Sequence, residues 1–402
     1  MNLKHIILTT AAFAVGVAAF AQPRPQAPAA SATDNLEFTT IKEAPVTSMK
    51  NQHRSGTCWC FSALSFLESE VIKAKGLKEA DYPDFSEMFI VRNAYHDRVI
   101  KYVRLDGKMN LAAGSDFGDV LEVVRTYGLM PQEAFSGMNY GYDLPVQFEL
   151  DAALHGYADA ILKNPNRKLT PNWVKGFDGI LDAYLGEIPE SFEYKGATYT
   201  PASYRDAMGL NPDDYIGFTS YTHHPFYTQF AIEVEDNWRW SLSWNVPIDE
   251  FMSIIDYAVE NGYTVLWGGD VSEKGFSRSN GTALLLVDET LDTSGSDQER
   301  WTGKANKGEG PKGIREYEVT QESRQESFDN KTSTDDHGMH LYGTAKDQFG
   351  NKYYLIKNSW GETGKYKGVW YMSEAFCKEK CLNFVVNKNA IPKDIRKKLG
   401  IK

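Results

Sequence analysis

The chain has 402 residues, of which 42% are hydrophobic and 24% are charged, and its formal net charge is −11. That length exceeds what one small core can organise, so we expect two lobes or a core with a large insertion. An acidic chain has little electrostatic reason to bind nucleic acid or an anionic membrane surface. Its four cysteines are too few for a disulfide scaffold.

Residues 1–21 have the pattern of a cleaved export signal. Lys4 and His5 precede an apolar run that ends in AFA at 19–21, with small residues at the two positions that a signal peptidase reads. The alternative, a membrane anchor, needs roughly 20 apolar residues, and this run is shorter. A Pro/Ala-rich linker follows at 22–36. The sequence therefore predicts a periplasmic or extracellular protein without stable membrane insertion.

Helical periodicity is clear from Cys58 to Lys75, where apolar residues recur at three- and four-residue steps before Gly76, a plausible C-cap. This pattern predicts an amphipathic helix that begins at Cys58. The pattern also predicts helices at 117–128 and near 147–163, 171–185 and 248–262. The run TVLW predicts a buried strand at 264–267, and the polar, Gly- and Lys-rich residues 291–316 predict a solvated loop.

The last third of the chain changes to a β-type pattern. HLYGTA, KYYLIKNSW, GVWYMS and LNFVVN are β-rich runs, and DQFGN between the first two is typical of a hairpin turn. Helices that dominate the first two-thirds and strands that gather at the end predict an α+β protein with two lobes.

Two cysteines lie close together in NQHRSGTCWCF, residues 51–61. A C-x-C pair could chelate a metal, but no nearby Cys/His pair completes a familiar four-ligand set. A redox pair usually has two intervening residues, and a buried structural role is the ordinary alternative for any cysteine. Positions i and i+2 of a helix point to different sides, so Cys58 and Cys60 should have different surroundings.

The position of Cys58 favours a nucleophile. Unpaired amides and the positive end of the helix dipole at a helix start stabilise the reactive thiolate. Such a nucleophile needs a base, a group that orients the base, and donors for the oxyanion. Adjacent strands can bring His337 beside Asn358, and Gln52 lies six residues before Cys58, where its side-chain NH2 can join the Cys58 backbone N–H as oxyanion donor.

These residues resemble the motifs of papain-like cysteine peptidases. The family pattern is Gln, five residues and Cys-Trp-x-Phe-Ser/Ala, then His with a small residue, then Asn-Ser-Trp-Gly. The matching residues here are Gln52, Cys58, Trp59, Phe61, Ser62, His337, Gly338, Asn358, Ser359, Trp360 and Gly361. The resemblance implies that Cys58 is the nucleophile, His337 the general base and then acid, Asn358 its orienting partner and Gln52 an oxyanion donor.

Two tryptophans of these motifs are candidate supporting residues. Trp59 follows the nucleophile directly. In the family, the counterpart of Trp360 shields the His–Asn contact from water. The alternative for Trp360 is an ordinary aromatic core residue.

Two departures from simple papain-like enzymes favour the bleomycin hydrolase and aminopeptidase C branch. The cysteine and histidine motifs lie far apart, and Ser55 stands where a cysteine is usual. The resemblance implies a two-lobe papain-like domain at 37–402, with a helical lobe that carries Cys58, a β-rich lobe, and a large, mainly helical insertion roughly within 130–320. In that branch a C-terminal arm enters the cleft. The short basic end AIPKDIRKKLGIK instead predicts an open or partly open cleft that accepts N-terminally blocked peptides.

Several other residues have both a functional and an ordinary interpretation. Gly114 and Ser115 lie where the family has two glycines whose backbone pairs with the substrate; the alternative is a turn before a helix. Cys377 and Cys381 are four apart on a predicted helix, which favours two thiols over a disulfide. The adjacent histidines at 223–224 favour a packed or solvated role over a metal site. His340 should point to the opposite face of the strand from His337.

The sequence thus predicts an exported peptidase that hydrolyses peptide bonds through a Cys58 thioester, as an aminopeptidase or a broad peptidase. It predicts peptide substrates and no metal or other cofactor, and it leaves a homo-oligomer open. One alternative is a transglutaminase-like acyltransferase, against which Asn358 in place of Asp and the position of Gln52 argue. The other is an inactive binding homologue, which the complete set of motif residues argues against.

Overall fold

The structure is a computed structural model, and it describes residues 36–287 and 316–402. The export signal at 1–21, the linker up to residue 35 and the loop at 291–315 lie outside the described residues, so they stay predictions. Within the described ranges, no helix combines the length and apolar character needed to cross a bilayer.

The helices predicted from periodicity all form, and their ends lie close to the predicted ones. Gly76 ends the first helix in a left-handed conformation, with φ of 60°. The described helices are α1 (Cys58–Lys75), α2 (Glu87–Arg104), α3 (Phe117–Tyr127), α4 (Phe148–Leu162), α5 (Asn172–Leu185), α6 (Pro201–Met208), α7 (Ile248–Glu260), α8 (Gln321–Asp329), α9 (Glu374–Lys380) and α10 (Lys393–Leu399).

The strands form one large sheet and one small hairpin. They are β1 (Phe38–Glu43), β2 (Phe192–Tyr194), β3 (Ala197–Tyr199), β4 (Tyr215–Thr219), β5 (Gln229–Ala231), β6 (Leu242–Asn245), β7 (Val265–Gly269), β8 (Phe276–Ser277), β9 (Thr282–Ala283), β10 (His337–Asp347), β11 (Lys352–Lys357), β12 (Val369–Ser373) and β13 (Cys381–Asn387). The sheet order is β5-β6-β4-β13-β7-β10-β11-β12-β9-β8, with β1 also on β10, and β2 pairs with β3. The predicted hairpin turn joins β10 to β11.

Two hydrophobic cores define the two lobes. The first contains side chains of α1 to α6, such as Leu64, Phe89 and Val120. The second lies between α7 and the central strands, where Ile254 of α7 and Trp267 of β7 are fully buried. The predicted α+β fold with two lobes is therefore confirmed.

The region assigned to the insertion is not only helical. Besides α4 to α7, it contains the β2–β3 hairpin and strands β4 to β9, and β4 to β6 extend the large sheet beyond β13. Strands of two to five residues give little periodic signal in a sequence, and β4, β7 and β9 pair with strands far along the chain.

The end of the chain packs against the second lobe. Ile395 and Leu399 of α10 are buried in the second core, and Nζ of Lys398 lies 2.5 Å from Oε1 of Glu250 on α7. The basic tail is thus fixed beside α7.

Candidate active site

Cys58 begins α1 and is partly exposed, whereas Cys60 is completely buried. The Cys60 thiol lies 3.3 Å from the backbone oxygen of Glu87, on the next helix. The two cysteines therefore have different surroundings, as the helical spacing predicts, and only Cys58 lines the cavity that His337 also lines.

His337 opens β10, and Asn358 directly follows β11, its neighbour in the sheet. Nε2 of His337 lies 2.8 Å from Oδ1 of Asn358, which also accepts a bond from the Ser359 amide at 2.7 Å. That bond leaves the other ring nitrogen of His337, Nδ1, for exchange with the thiol. The ring of Trp360 packs 4.8 Å from the imidazole, centroid to centroid.

The small residue after the histidine has a steric reason. A Cβ added at Gly338 would lie 2.9 Å from Oγ of Ser62 on α1 and 3.0 Å from the ring of Phe117. Gly338 therefore allows β10 to approach α1 closely. Two positions further on, His340 faces the same helix, with Nδ1 2.9 Å from Oγ of Ser65. The predicted alternation of His337 and His340 along the strand is observed.

Gln52 is held between the start of α1 and the end of β11. Its Oε1 accepts a 2.6 Å hydrogen bond from Oγ of Ser359, and its Nε2 donates a 2.8 Å bond to the backbone oxygen of Ser55. A carboxamide nitrogen has two N–H groups, so one N–H remains available. The Cys58 amide is in the first turn of α1, where amides have no intrahelical acceptor.

Burial is the largest effect on the Cys58 thiol and raises its pKa to about 12. The negative charges of Asp335 and Asp236 raise this pKa further, whereas a backbone hydrogen bond from Gly338 lowers it. Burial also lowers the pKa of the His337 imidazole to about 4, against the effect of its bond to Asn358. Both shifts disfavour the charged form of each group taken alone. The helix-stabilised thiolate expected from the sequence stays a prediction.

Ser115 lines the cavity, whereas Gly114 lies beside it and does not line it. A Cβ at Gly114 would overlap the carboxylate of Asp236. The Ser115 hydroxyl donates to Asp119 and accepts a 2.8 Å bond from Nε1 of Trp238. Trp59 fixes the same loop, because its Nε1 donates a 2.9 Å bond to the backbone oxygen of Ala113.

Sequence reasoning missed the acidic wall of this cavity. Asp116, Asp236, Asp335 and Asp336 line it together with Cys58 and His337, and its volume is about 20 Å³. Asp335 lies two residues before His337, so the sequence next to the histidine motif does contain a local signal for this carboxylate. Asp236 comes from the β5–β6 loop, residues 232–241, and no local pattern connects it with Cys58.

The adjacent histidines lie outside this cavity. Nε2 of His223 is 3.1 Å from Oε2 of Glu233, and Nε2 of His224 is 2.9 Å from Oε1 of the same carboxylate. Within the described ranges, this is the one group of potential ligands whose atoms converge, within 4.8 Å of one another. The imidazoles stack on Phe328 and Phe230. These contacts fit the packed role that the sequence favours.

The remaining cysteines are both thiols and both completely buried. Cys377 lies in α9, but Cys381 begins β13. The expectation that both lie on one helix is therefore wrong. The helix ends at Lys380, and the chain then joins the large sheet beside β7 and β4.

The two-lobe α+β fold and the arrangement of Cys58, His337, Asn358 and Gln52 are similar to those of papain-like cysteine peptidases. A model described as the Peptidase C1-like family matches residues 312–401. The crystal structure of PepW from Lactobacillus rhamnosis is similar in fold, with a TM-score of 0.63 and 19% identity, covering 90% of this chain and 84% of that one.

Curated relatives are similar along most of the chain. Aminopeptidase G and Aminopeptidase C of Lactobacillus delbrueckii subsp. lactis are 23% and 24% identical, covering 88% and 90% of this chain and 83% and 84% of their own. Cysteine proteinase 1, mitochondrial, of Saccharomyces cerevisiae (strain JAY291) is 20% identical over 91% of this chain and 80% of its own. These findings confirm the resemblance to the bleomycin hydrolase and aminopeptidase C branch and the prediction of a cysteine-type peptidase.

Proposed function

We propose that this chain is an exported aminopeptidase that hydrolyses peptides through a thioester on Cys58. The observation that carries the proposal is the shared cavity of Cys58 and His337, with His337 held by Asn358 at 2.8 Å. The names of the relatives support the aminopeptidase mode. Export rests on the sequence of residues 1–21.

In the first half of the reaction, Sγ of Cys58 attacks the scissile carbonyl carbon while its proton passes to Nδ1 of His337. This transfer keeps the pair neutral overall, so it avoids the cost of charging either buried group alone. His337 then gives the proton to the leaving amine, the C–N bond breaks, and a thioester remains on Cys58. Asn358 holds the imidazole in the tautomer and orientation that both transfers need.

The second half reverses these roles. Water attacks the thioester carbon while its proton passes to His337, and the proton then returns to the Cys58 sulfur as the acid leaves. Both tetrahedral intermediates carry an oxyanion. The second N–H of Gln52 and the backbone N–H of Cys58 are the donors that we assign to it, since preorganised donors stabilise developing charge strongly.

The test compares Cys58→Ala with Cys60→Ala in the mature full-length chain, incubated with a mixed peptide library and followed by mass spectrometry. We expect Cys58→Ala to abolish turnover, because the covalent route is lost. Cys60→Ala is the matched control and should keep most activity. Products shortened from the N-terminus support the aminopeptidase mode and internal cuts oppose it. If iodoacetamide alkylated Cys60 in place of Cys58, the assignment would fail.

Export is tested separately, by N-terminal sequencing of the protein recovered from its native envelope or medium. A mature chain that begins at Gln22 supports the proposal. An intact Met1 contradicts it without affecting the assignment of the active site.

A further inference from the structure

One end of the catalytic cavity is acidic. Asp116, Asp236, Asp335 and Asp336 line it, and the charge of Asp236 acts on Asp116 and Asp335. Cys58 and His337 line the same space, so any group bound there lies next to the reacting atoms. Negative charges beside a nucleophilic thiol disfavour its thiolate form. These carboxylates therefore do not activate Cys58, and we expect another role for them in substrate binding.

Two of the four carboxylates have unused acceptor capacity. Asp336 accepts bonds from the Val271 amide and from Oγ of Ser272. Asp116 accepts 2.8 Å bonds from the Gly118 amide and from Nδ2 of Asn383. Asp236 accepts one bond at Oδ1, from Nδ2 of Asn110 at 3.2 Å. Among the described residues, Oδ2 of Asp236 and the carboxylate of Asp335 have no hydrogen-bond donor.

The nearest protein cation does not supply the missing donors. Arg98 attracts Asp236 through its charge, but its Nε and Nη1 donate to backbone oxygens of Asn110, Ala112 and Gly114. Burial raises the pKa of Asp236 and raises that of Asp335 well above its usual range. The charge of Arg98 opposes the shift of Asp236 without cancelling it, and the neighbouring carboxylates add to the shift of Asp335.

We propose that Asp236 and Asp335 bind the α-ammonium group of the substrate and so restrict hydrolysis to the first residue of a peptide. This inference rests on the proposed function and adds its specificity residues. An ammonium group brings one positive charge and three N–H donors. The cavity of about 20 Å³ holds roughly one water-sized group, which is the size of an ammonium.

Asp236 also blocks longer substrates sterically. Its carboxylate lies against Gly114, at the position where papain-like enzymes pair with the substrate backbone. A larger cavity of about 360 Å³ lies beyond it and is lined by the same Asp236 and Asp335. The two side chains therefore separate the catalytic cavity from the space that a longer peptide would need.

The loop that carries Asp236 is firmly anchored. Trp238 is 3% exposed and donates a 2.8 Å bond to Ser115. Arg239 forms ion pairs with Asp119 at 2.5 Å and Asp97 at 3.0 Å. Displacing Asp236 would break these contacts, so we expect it to hold its place when a peptide binds.

An internal loop here would perform a role that the resemblance assigns to a C-terminal arm. The described tail packs beside α7, with Lys398 paired to Glu250, and does not line the catalytic cavity. The sequence prediction of an open cleft considered only this tail. That prediction stays untested, and the present proposal differs from it because the β5–β6 loop places Asp236 against Gly114.

The test measures kcat/KM for an aminoacyl-amidomethylcoumarin and for its N-acetylated form, using the wild type, Asp236→Asn and Asp335→Asn. We expect the wild type to prefer the free amine by at least about 100-fold, since a buried charge without its partner is costly. Each variant should lose roughly 10- to 100-fold in kcat/KM on the free amine, mainly through KM, because the ammonium contact is made equally before and during reaction.

Asp236→Ala is a gain-of-function variant, since it should join the two cavities and raise hydrolysis of the acetylated substrate. Glu190→Gln is the charge control, because Glu190 is exposed and lines neither cavity, and it should change kcat/KM by less than about twofold. Comparable wild-type rates on both substrates, with no effect of Asp236→Asn, would overturn this inference alone. Absence of any turnover by the wild type would instead overturn the proposed function.

Discussion

Nε2 of His337 lies 2.8 Å from Oδ1 of Asn358, and the ring of Trp360 packs against the imidazole at 4.8 Å. Asn358 also accepts a bond from its neighbouring amide, Ser359, at the same oxygen. The carboxamide is therefore fixed with its oxygen toward the ring. A fixed acceptor at Nε2 sets the histidine tautomer, because that nitrogen must carry the proton.

Asn358→Ala should lower kcat by about 10- to 100-fold and leave Cys58 alkylation by iodoacetamide detectable. The expected loss is smaller than that for His337→Ala, since general acid–base transfer itself contributes about 10²- to 10⁴-fold and Asn358 only orients the imidazole. Steady-state kinetics of the two variants, measured side by side, check this order. An Asn358→Ala enzyme with unchanged kcat would remove the residue from its positioning role.

Gln52→Ala should cost about 10²- to 10³-fold in kcat, the loss expected for one oxyanion donor. Ser359→Ala is the matched control. It removes the hydroxyl that holds Oε1 of Gln52 at 2.6 Å but leaves the donating N–H in place, so its loss should be at most about tenfold. Equal losses in both variants would show that Gln52 acts through local structure rather than through the oxyanion.

The site could be predicted largely from sequence because its parts belong to short local motifs. Cys58 is marked by the start of a helical period, and His337 and Asn358 are marked by the two β-runs that carry them. Adjacent strands joined by a short hairpin must pair, so these two residues were expected to meet. Gly338 and its Ser62 neighbour on α1 explain why one of these motifs needs a small residue.

The parts that sequence reasoning missed depend on long-range contacts or on mixed patterns. Asp236 reaches Gly114 only because the β5–β6 loop folds back over it. Helix α2 was not predicted, although Ser86 precedes it and its Oγ accepts the Phe89 amide at 3.1 Å. Eleven residues of α2 are buried on more than one side, so its apolar residues do not form one clean stripe.

The reactivity of Cys58 should depend on the acidic wall. Asp236 and Asp335 raise the pKa of the thiol through their negative charge. Asp236→Asn should therefore lower that pKa and move the pH profile of alkylation by iodoacetamide to lower pH, while peptide turnover falls. The rate of inactivation measured from pH 5 to 10 checks the direction. Glu190→Gln, at an exposed position that does not line the cavity, is the control and should leave the profile in place. A profile of Asp236→Asn that moved to higher pH, or that stayed unchanged, would contradict the assigned geometry.

The last prediction concerns stability rather than catalysis. Glu70 of α1 is 5% exposed and accepts a 2.6 Å bond from Nδ2 of Asn387. Burial raises the pKa of this carboxyl group from 4.5 to about 7. The folded state thus holds this proton more tightly than the unfolded state, so its contribution to stability falls as the pH rises from about 4.5 to 7 and stays low above that.

Glu70→Gln keeps an acceptor for Asn387 and has no charge to bury. It should raise the free energy of unfolding above pH 7, by up to about 3 kcal/mol, and change it little near pH 4. Urea unfolding at both pH values, in a Cys58→Ala background that prevents self-digestion, measures the difference. Glu79→Gln, on the exposed surface, is the control and should have little effect at either pH. A Glu70→Gln variant less stable than its parent at pH 8 would show that the carboxylate is paired rather than strained.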